Sequence, residues 1–156
     1  MKIQDVIQYL ETLAPLTYAE DFDNVGLLVG NPDTPLRGVL ITLDTLESVV
    51  EEAIARDCNL IVSFHPIIFG GLKRLTGSSY VERTVIKAIE HHIAIYAIHT
   101  ALDNSFWGVN ARICYRLALS NREILLPQAH TIEQLVTYVP HKDAAALREH
   151  LFAAGA

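Results

Sequence analysis

Apolar residues recur along the chain in two patterns, a helical spacing and short continuous runs bounded by polar or turn residues. The helical spacing predicts helices over residues 2–13, 48–56, 80–92, 107–119 and 144–152. The short apolar runs predict strands over residues 25–30, 39–43, 60–62, 93–98, 123–126 and 135–139. Because strands and helices alternate, we expect an α/β fold with a mostly parallel sheet flanked by helices.

The stretch from Asn59 to Phe69 is the one around which we expect the fold to be organised. Its apolar run Leu60–Val62 is long enough for a buried parallel strand, and His65 and Pro66 follow shortly after. Proline lacks an N–H group and favours extended geometry in the residue before it. We therefore expect His65 at the carboxyl end of a central strand, the edge where open α/β sheets bind ligands.

Composition narrows the class of protein. The chain has 156 residues, of which 51% are hydrophobic and 19% charged, as in a globular domain rather than a disordered chain. A net charge of −6 without a basic stripe argues against a nucleic-acid partner. The amino terminus shows no signal-peptide pattern, and no apolar run reaches the roughly 20 residues that span a bilayer, so we expect a cytoplasmic protein. Cys58 and Cys114 form no CxxC pair, and we expect reduced thiols.

Polar residues of metal-ligating type follow three of the predicted strands. They are Asp44, His65, His99 and Asp103. If the strands are parallel neighbours, these side chains converge on one edge of the sheet, where imidazole and carboxylate together suit Zn, Fe, Mn, Ni or Co. The same residue types also form hydrogen-bonded pairs or solvated turns, and the spacing by itself leaves both interpretations open.

Four blocks of sequence carry a resemblance to a known family. They are Phe22–Leu27, Leu43–Thr45, Ile61–Phe69, and His99–Asp103 continuing to Gly108–Asn110. With these blocks in order, the chain resembles the NIF-three-like proteins, also called the GTP cyclohydrolase I type 2 family, over residues 1–128. The resemblance implies an α/β fold, a dinuclear metal centre, and a homohexameric ring assembled from trimers around an internal cavity.

The resemblance implies that His65 and Asp103 bind the same divalent transition metal. The family usually has two successive histidines before the proline, each binding a different metal, and Phe64 stands here in place of the first. The family's remaining histidine and bridging glutamate lie far downstream and have no counterpart in this sequence. We therefore expect the chain to bind one metal weakly or none, because a catalytic zinc usually has three protein ligands.

The resemblance also implies a domain organisation. We expect residues 1–128 to form an amino-terminal α/β metal-binding part, and residues 129–156 to be the incomplete beginning of an inserted α+β domain. On this interpretation the sequence is an amino-terminal portion that ends inside the insert. Unpaired strand edges would then promote association of the chain.

The other polar residues near the predicted site keep two interpretations each. His99 is either a third metal ligand or a residue that holds Asp103 or a backbone carbonyl, and we favour the second. Asp44 either bonds a metal-bound water or forms a turn or a helix cap.

Several residues around these candidates also have more than one possible role. Phe64 either stacks on a base or fills the space of the lost ligand, and we favour the second. Asp23 and Asn24 are expected to shape a turn near the site. Lys73 and Arg74 either meet a substrate phosphate or are simply solvated.

Two functions are compatible with the resemblance. The first is a metal-dependent hydrolase, similar to GTP cyclohydrolase I type 2, acting on a nucleotide or phosphorylated small molecule. The second is a non-catalytic metal-binding scaffold or regulatory protein that acts through a ring-shaped homo-oligomer. We expect the partners to be further copies of the chain, as a trimer or hexamer, and a small-molecule substrate, with no membrane or nucleic-acid partner.

Overall fold

The computed structural model describes residues 1–127 and 134–155. The chain divides into two compact units, Met1–Arg122 and Glu123–Ala156. All of the predicted metal-ligating residues lie in the first unit.

A four-stranded mixed sheet forms the centre of the first unit. Its strands are β1 (Gly26–Val29), β2 (Val39–Thr42), β3 (Leu60–Ser63) and β4 (Ala94–Ala97). In space their order is β1-β4-β3-β2, in which β2, β3 and β4 are parallel and β1 runs antiparallel to β4. The prediction of an α/β fold with a mostly parallel sheet is therefore confirmed.

Five α-helices accompany the sheet. They are α1 (Ile3–Leu13), α2 (Glu47–Ala55), α3 (Tyr80–Glu90), α4 (His99–Asn104) and α5 (Val109–Arg116). Four of them were predicted, with ends that differ by at most three residues. Helix α4 was not, because its six residues are too few to show a helical period. In the described part of the chain, no helix has both the length and the apolar character needed to cross a membrane.

Helices cover both faces of the sheet. Helices α1 and α4 pack on one face, where Leu60, Val62 and Tyr96 are buried. Helices α2 and α3 pack on the other face, where Ile61 and Ile95 are buried. Strands β3 and β4 are buried on both faces, which explains why their sequences are continuous apolar runs. Because these strands are mostly apolar along their length, polar side chains that can form a site lie just past the strand ends.

The second unit contains a 3₁₀ helix at His141–Asp143 and the helix α6 (Ala144–Ala153), which confirms the predicted carboxy-terminal helix. The strands predicted over residues 123–126 and 135–139 are wrong, since these residues have no regular secondary structure. An apolar run becomes a strand only where a neighbouring strand supplies hydrogen bonds, and within the described ranges none pairs with these two runs. The assignment of residues 129–156 to an inserted domain stays a prediction.

Candidate functional site

Three of the predicted residues lie at one edge of the sheet. Asp44, His65 and His99 each stand two residues after the end of β2, β3 and β4, respectively. The backbone N–H of His65 donates to the carbonyl of Leu43 at 2.9 Å, and that of His99 donates to the carbonyl of Phe64 at 3.0 Å. Backbone hydrogen bonds thus continue past the strands and align the three segments at the edge where α/β sheets bind ligands.

His65 and Asp44 form a hydrogen-bonded pair. Nδ1 of His65 lies 2.7 Å from Oδ1 of Asp44, and both side chains are about half exposed. Because a carboxylate only accepts hydrogen bonds, Nδ1 carries the proton, so that Nε2 has its lone pair available whenever the ring is neutral. Metal-binding histidines are oriented by carboxylates in this way. Asp44 therefore orients His65 rather than capping α2, whose N-cap is Leu46.

A second imidazole is held by a buried carboxylate. Nδ1 of His99 lies 2.8 Å from Oδ1 of Asp23, whose side chain is fully buried. Asp23 also accepts hydrogen bonds from the backbone N–H of Asn24 at 2.7 Å, the backbone N–H of Thr100 at 3.1 Å and the Thr100 hydroxyl. Burial by itself would raise the pKa of Asp23, but the hydrogen bonds from Thr100 and His99 outweigh it and hold this pKa below its ordinary value.

Sequence reasoning missed the role of Asp23. The sequence predicted only that Asp23 shapes a turn. For His99 it left open a metal ligand or, as the favoured role, a residue that holds Asp103 or a backbone carbonyl. In the structure the partner of His99 is Asp23, which lies 76 residues earlier in the chain. His99 has a φ of 23°, which is unusual for a residue with a side chain, and its ring is held by this buried hydrogen bond.

The two imidazole rings lie side by side against Phe64. The ring centroids of His65 and His99 are 5.4 Å apart, and Phe64 lies 5.1 Å from the first and 5.4 Å from the second, all edge to face. Phe64 also packs against the core beneath α1 and α4. This favours the interpretation that Phe64 fills space and supports both rings. The Phe69 ring lies at the outer side of the cluster, 6.4 Å from that of His99.

Asp103 lies in α4, four residues after His99, and therefore on the same face of that helix. The end of α4 is fixed by its neighbours: the Asn110 amide donates to the Asp103 carbonyl at 3.2 Å, and a Cβ at Gly108 would lie 1.7 Å from a backbone oxygen of α4. The Asp103 carboxylate makes no side-chain hydrogen bond within the described residues. That Asp103 and His65 bind the same metal stays a prediction.

The side chains at this edge are of types that bind transition metals, but they are fewer than a tight metal site needs. Two imidazoles have Nδ1 held by carboxylates, which leaves their Nε2 atoms as potential ligands. Across residues 1–127 and 134–155, however, no three or more His, Cys, Asp or Glu side chains are arranged to hold a metal ion. Because tight catalytic sites usually have three protein ligands, this part of the chain provides only some of the ligands that such a site needs.

Comparison with known proteins identifies relatives of the chain. The family model described as Duf34/NIF3 (NGG1p interacting factor 3) matches residues 1–153. A Bacillus subtilis protein named GTP cyclohydrolase 1 type 2 homolog is 39% identical over 154 residues, which are 98% of this chain and 41% of the relative. The chain thus spans about two fifths of the length of that relative.

Solved structures show the same fold. A Bacillus cereus protein related to NIF3 superposes with a TM-score of 0.77 at 38% identity, covering 82% of this chain and 35% of that one. A Staphylococcus aureus hypothetical protein superposes with a TM-score of 0.76 at 41% identity, covering 82% of this chain and 36% of that one.

Proposed function

Because the chain belongs to the Duf34/NIF3 family, we propose that the protein is a metal-dependent hydrolase acting on a nucleotide or phosphorylated small molecule. The observation that carries the proposal is the oriented pair of imidazoles, His65 held by Asp44 and His99 held by Asp23, at the ligand-binding edge of the sheet. The name of the Bacillus subtilis relative supports a nucleotide-directed hydrolase.

The proposed cofactor is a divalent transition metal, one of Zn, Fe, Mn, Ni or Co. His65 through Nε2 and Asp103 through its carboxylate would hold it, with further ligands from outside the described residues. When bound, such a metal activates water and polarises a phosphoryl or carbonyl oxygen. A second metal site is less well supported, because Phe64 supplies no ligand atom.

The remaining site residues orient these groups. Asp44 accepts the Nδ1 proton of His65 and fixes the plane of that ring. The buried charge of Asp23 fixes His99 in the same way, which leaves Nε2 of His99 free to accept a hydrogen bond from a substrate or a water molecule. Phe64 packs edge to face against both rings and supports their positions.

A second candidate is a non-catalytic metal-binding scaffold or regulatory protein that acts through a ring-shaped homo-oligomer. Large apolar side chains that are mostly exposed favour it, namely Phe22, Ile41, Trp107 and Tyr115. Exposed apolar side chains of this size mark an association surface where they form a contiguous patch. Under either candidate we propose a cytoplasmic protein that assembles with itself as a trimer or hexamer.

Turnover assays on the intact protein separate the two candidates. Nucleotides and simple phosphoesters are offered with added Zn²⁺ or Mn²⁺, and the wild type is compared with His65→Ala and Asp103→Ala. The hydrolase proposal expects both variants to lose roughly a hundredfold or more of the rate. The matched control is His91→Ala, an exposed histidine at the end of α3, which keeps the rate.

Two results would contradict the hydrolase. One is the absence of turnover across the panel, and the other is turnover that His65→Ala leaves unchanged. Binding of a partner protein that survives metal chelation, without any turnover, would favour the scaffold.

A further inference from the structure

Phe69 is an aromatic residue left exposed beside the two imidazoles. Its side chain is 53% exposed, although its ring lies 6.4 Å from that of His99 and nearly perpendicular to it. We propose that Phe69 is the surface on which the base of a bound nucleotide stacks. This proposal rests on the proposed function for the position of the site, and it narrows the substrate class to nucleotides.

The segment just before Phe69 is anchored to the core. Ile67 is buried in the core beneath α2 and α3, and Ile68 packs against the same core. The carbonyl of Ile68 accepts a hydrogen bond of 2.5 Å from the side-chain amide of Asn24, which is next to Asp23 in the chain. Phe69 therefore follows directly after a segment that is tied to the buried carboxylate of the site.

Space is open around the two glycines that follow Phe69. A Cβ added to Gly70 or Gly71 would meet no heavy atom within 4 Å. Phe69 itself is 53% exposed, so part of its ring is accessible to a planar group. An exposed ring that is held in this way loses little entropy when a base stacks on it.

Phe64 does not provide a comparable surface. Its ring contacts both His65 and His99 edge to face and packs into the core beneath α1 and α4. A base could not reach its face without displacing those contacts. Of the two phenylalanines beside the imidazoles, Phe69 is the more exposed.

Two cations on the same loop favour a charged ligand. Lys73 and Arg74 follow Phe69 by four and five residues and are exposed, and neither takes part in an ion pair in the portion of the chain that the structure describes. The end of their loop is held because Glu82 accepts hydrogen bonds from Thr76 and Ser78. An aromatic surface and unpaired cations together match a base joined to a phosphate, as in a nucleotide.

The test measures binding rather than turnover. The intact protein is titrated calorimetrically with guanosine 5′-monophosphate and with ribose 5-phosphate, which has the phosphate and sugar but no base. We expect the nucleotide to bind more tightly. Phe69→Ala should weaken its binding roughly tenfold to a hundredfold while leaving the binding of ribose 5-phosphate unchanged.

Matched variants separate stacking from a general effect on the fold. Phe69→Trp keeps an aromatic face and should keep the affinity, whereas Phe69→Leu keeps bulk without a π face and should lose it. Tyr9→Ala removes an exposed aromatic side chain from α1 and should change neither affinity. Since Phe69 is half exposed, its substitution should leave thermal unfolding within the range of the control.

The proposal is overturned if the wild type shows no preference for the nucleotide, or if Phe69→Ala weakens both ligands equally. Its failure differs from that of the hydrolase proposal. Nucleotide binding that depends on Phe69 without any turnover would refute only the hydrolase. Turnover of a base-free phosphoester that requires His65 but is indifferent to Phe69 would refute only the stacking role.

Discussion

The buried side-chain carboxylate of Asp23 is stabilised by several hydrogen-bond donors. Its two carboxylate oxygens accept from the His99 ring, from two backbone N–H groups and from the Thr100 hydroxyl. A buried carboxylate without such partners would be strongly unfavourable, and hydrogen bonds to charged groups are among the stronger ones in proteins. The same arrangement that stabilises the fold therefore orients a residue of the candidate site.

We expect Asp23→Asn to lower the free energy of unfolding by about 2 kcal/mol at neutral pH, because the amide nitrogen cannot accept the hydrogen bonds from Thr100. Since the folded-state pKa of Asp23 is below its ordinary value, its charged form stabilises the protein above the unfolded-state pKa. This stabilisation is lost as the pH falls through the folded-state pKa, so the difference between variant and wild type should shrink in acid.

Chemical denaturation at several pH values provides the measurement. Asp21→Asn is the matched control, since Asp21 is exposed and its side chain makes no hydrogen bond in the described ranges. Equal effects of the two substitutions would contradict the role assigned to Asp23.

Tyr96 differs from Asp23, because its buried polar group has no hydrogen-bond partner among the described residues. Its side chain is fully buried in β4, and its hydroxyl has no hydrogen-bond partner among residues 1–127 and 134–155. Burial raises the pKa of Tyr96 to about 12. We expect Tyr96→Phe to leave the free energy of unfolding unchanged or to raise it by up to about 1 kcal/mol, because no hydrogen bond is lost.

Thermal or urea unfolding measures the effect of Tyr96→Phe. Tyr96→Ala should lower stability by about 3 kcal/mol or more, because it leaves a cavity in the core. A loss above about 1 kcal/mol in Tyr96→Phe would show that the hydroxyl does have a partner.

At the scale of elements, α3 begins with a capping arrangement that also holds the preceding loop. The hydroxyl of Ser79, the N-cap residue, accepts from the backbone N–H of Glu82 at 3.2 Å. The Glu82 carboxylate accepts from the backbone N–H of Thr76 at 2.8 Å, from the Thr76 hydroxyl at 2.9 Å and from the backbone N–H of Ser78 at 3.1 Å. These hydrogen bonds lower the pKa of Glu82 to about 2.

We expect Glu82→Gln to increase amide hydrogen exchange at Thr76 and Ser78, because the neutral side chain is a weaker acceptor. In the wild type the loop contacts should persist above the ordinary pKa of a glutamate and disappear as the pH falls towards about 2. Chemical shifts of the two amides, followed by NMR over this pH range, report the change. Glu90→Gln, at the far end of α3, should leave both amides unchanged.

At the scale of the molecule, the sheet has an open edge at β2. This strand pairs only with β3 in the described part of the sheet, and its Ile41 side chain is 80% exposed. Free strand edges with apolar side chains pair readily with other chains. We expect the 156-residue chain by itself to associate, and Ile41→Lys to reduce this association.

Analytical ultracentrifugation over a range of concentrations measures the effect of Ile41→Lys. Tyr9→Lys adds the same charge at an exposed position on α1 rather than on β2, and should have a smaller effect. A wild-type chain that remains monomeric at every concentration would contradict the prediction.

Metal content is also a property of the whole molecule. The described residues bring no three ligand side chains together, so we expect the 156-residue chain to retain fewer than one tightly bound metal after dialysis. Elemental analysis of the dialysed chain measures the ratio. Two tightly held metals per chain would contradict the prediction, and His65→Ala should lower whatever metal remains.

The parts of the fold that depend on local sequence patterns could be predicted from the sequence. The apolar runs of β3 and β4 indicated strands buried on both faces, and the helical periods of α1 to α3 were clear. The strands predicted over residues 123–126 and 135–139 failed because strand formation also requires a partner. Helix α4 was missed because it is short, although it carries both His99 and Asp103.

The sequence alone determined the chain order of β1 to β4 with α1 to α3 and the position of His65 at the end of a central strand, because periodicity and Pro66 act over only a few residues. The tertiary structure decided which side chains meet. The pairs His65–Asp44 and His99–Asp23 join residues 21 and 76 positions apart, and they exist because the strand order β1-β4-β3-β2 brings those segments together. Hydrogen bonds between distant residues depend on that order, which local sequence patterns do not encode.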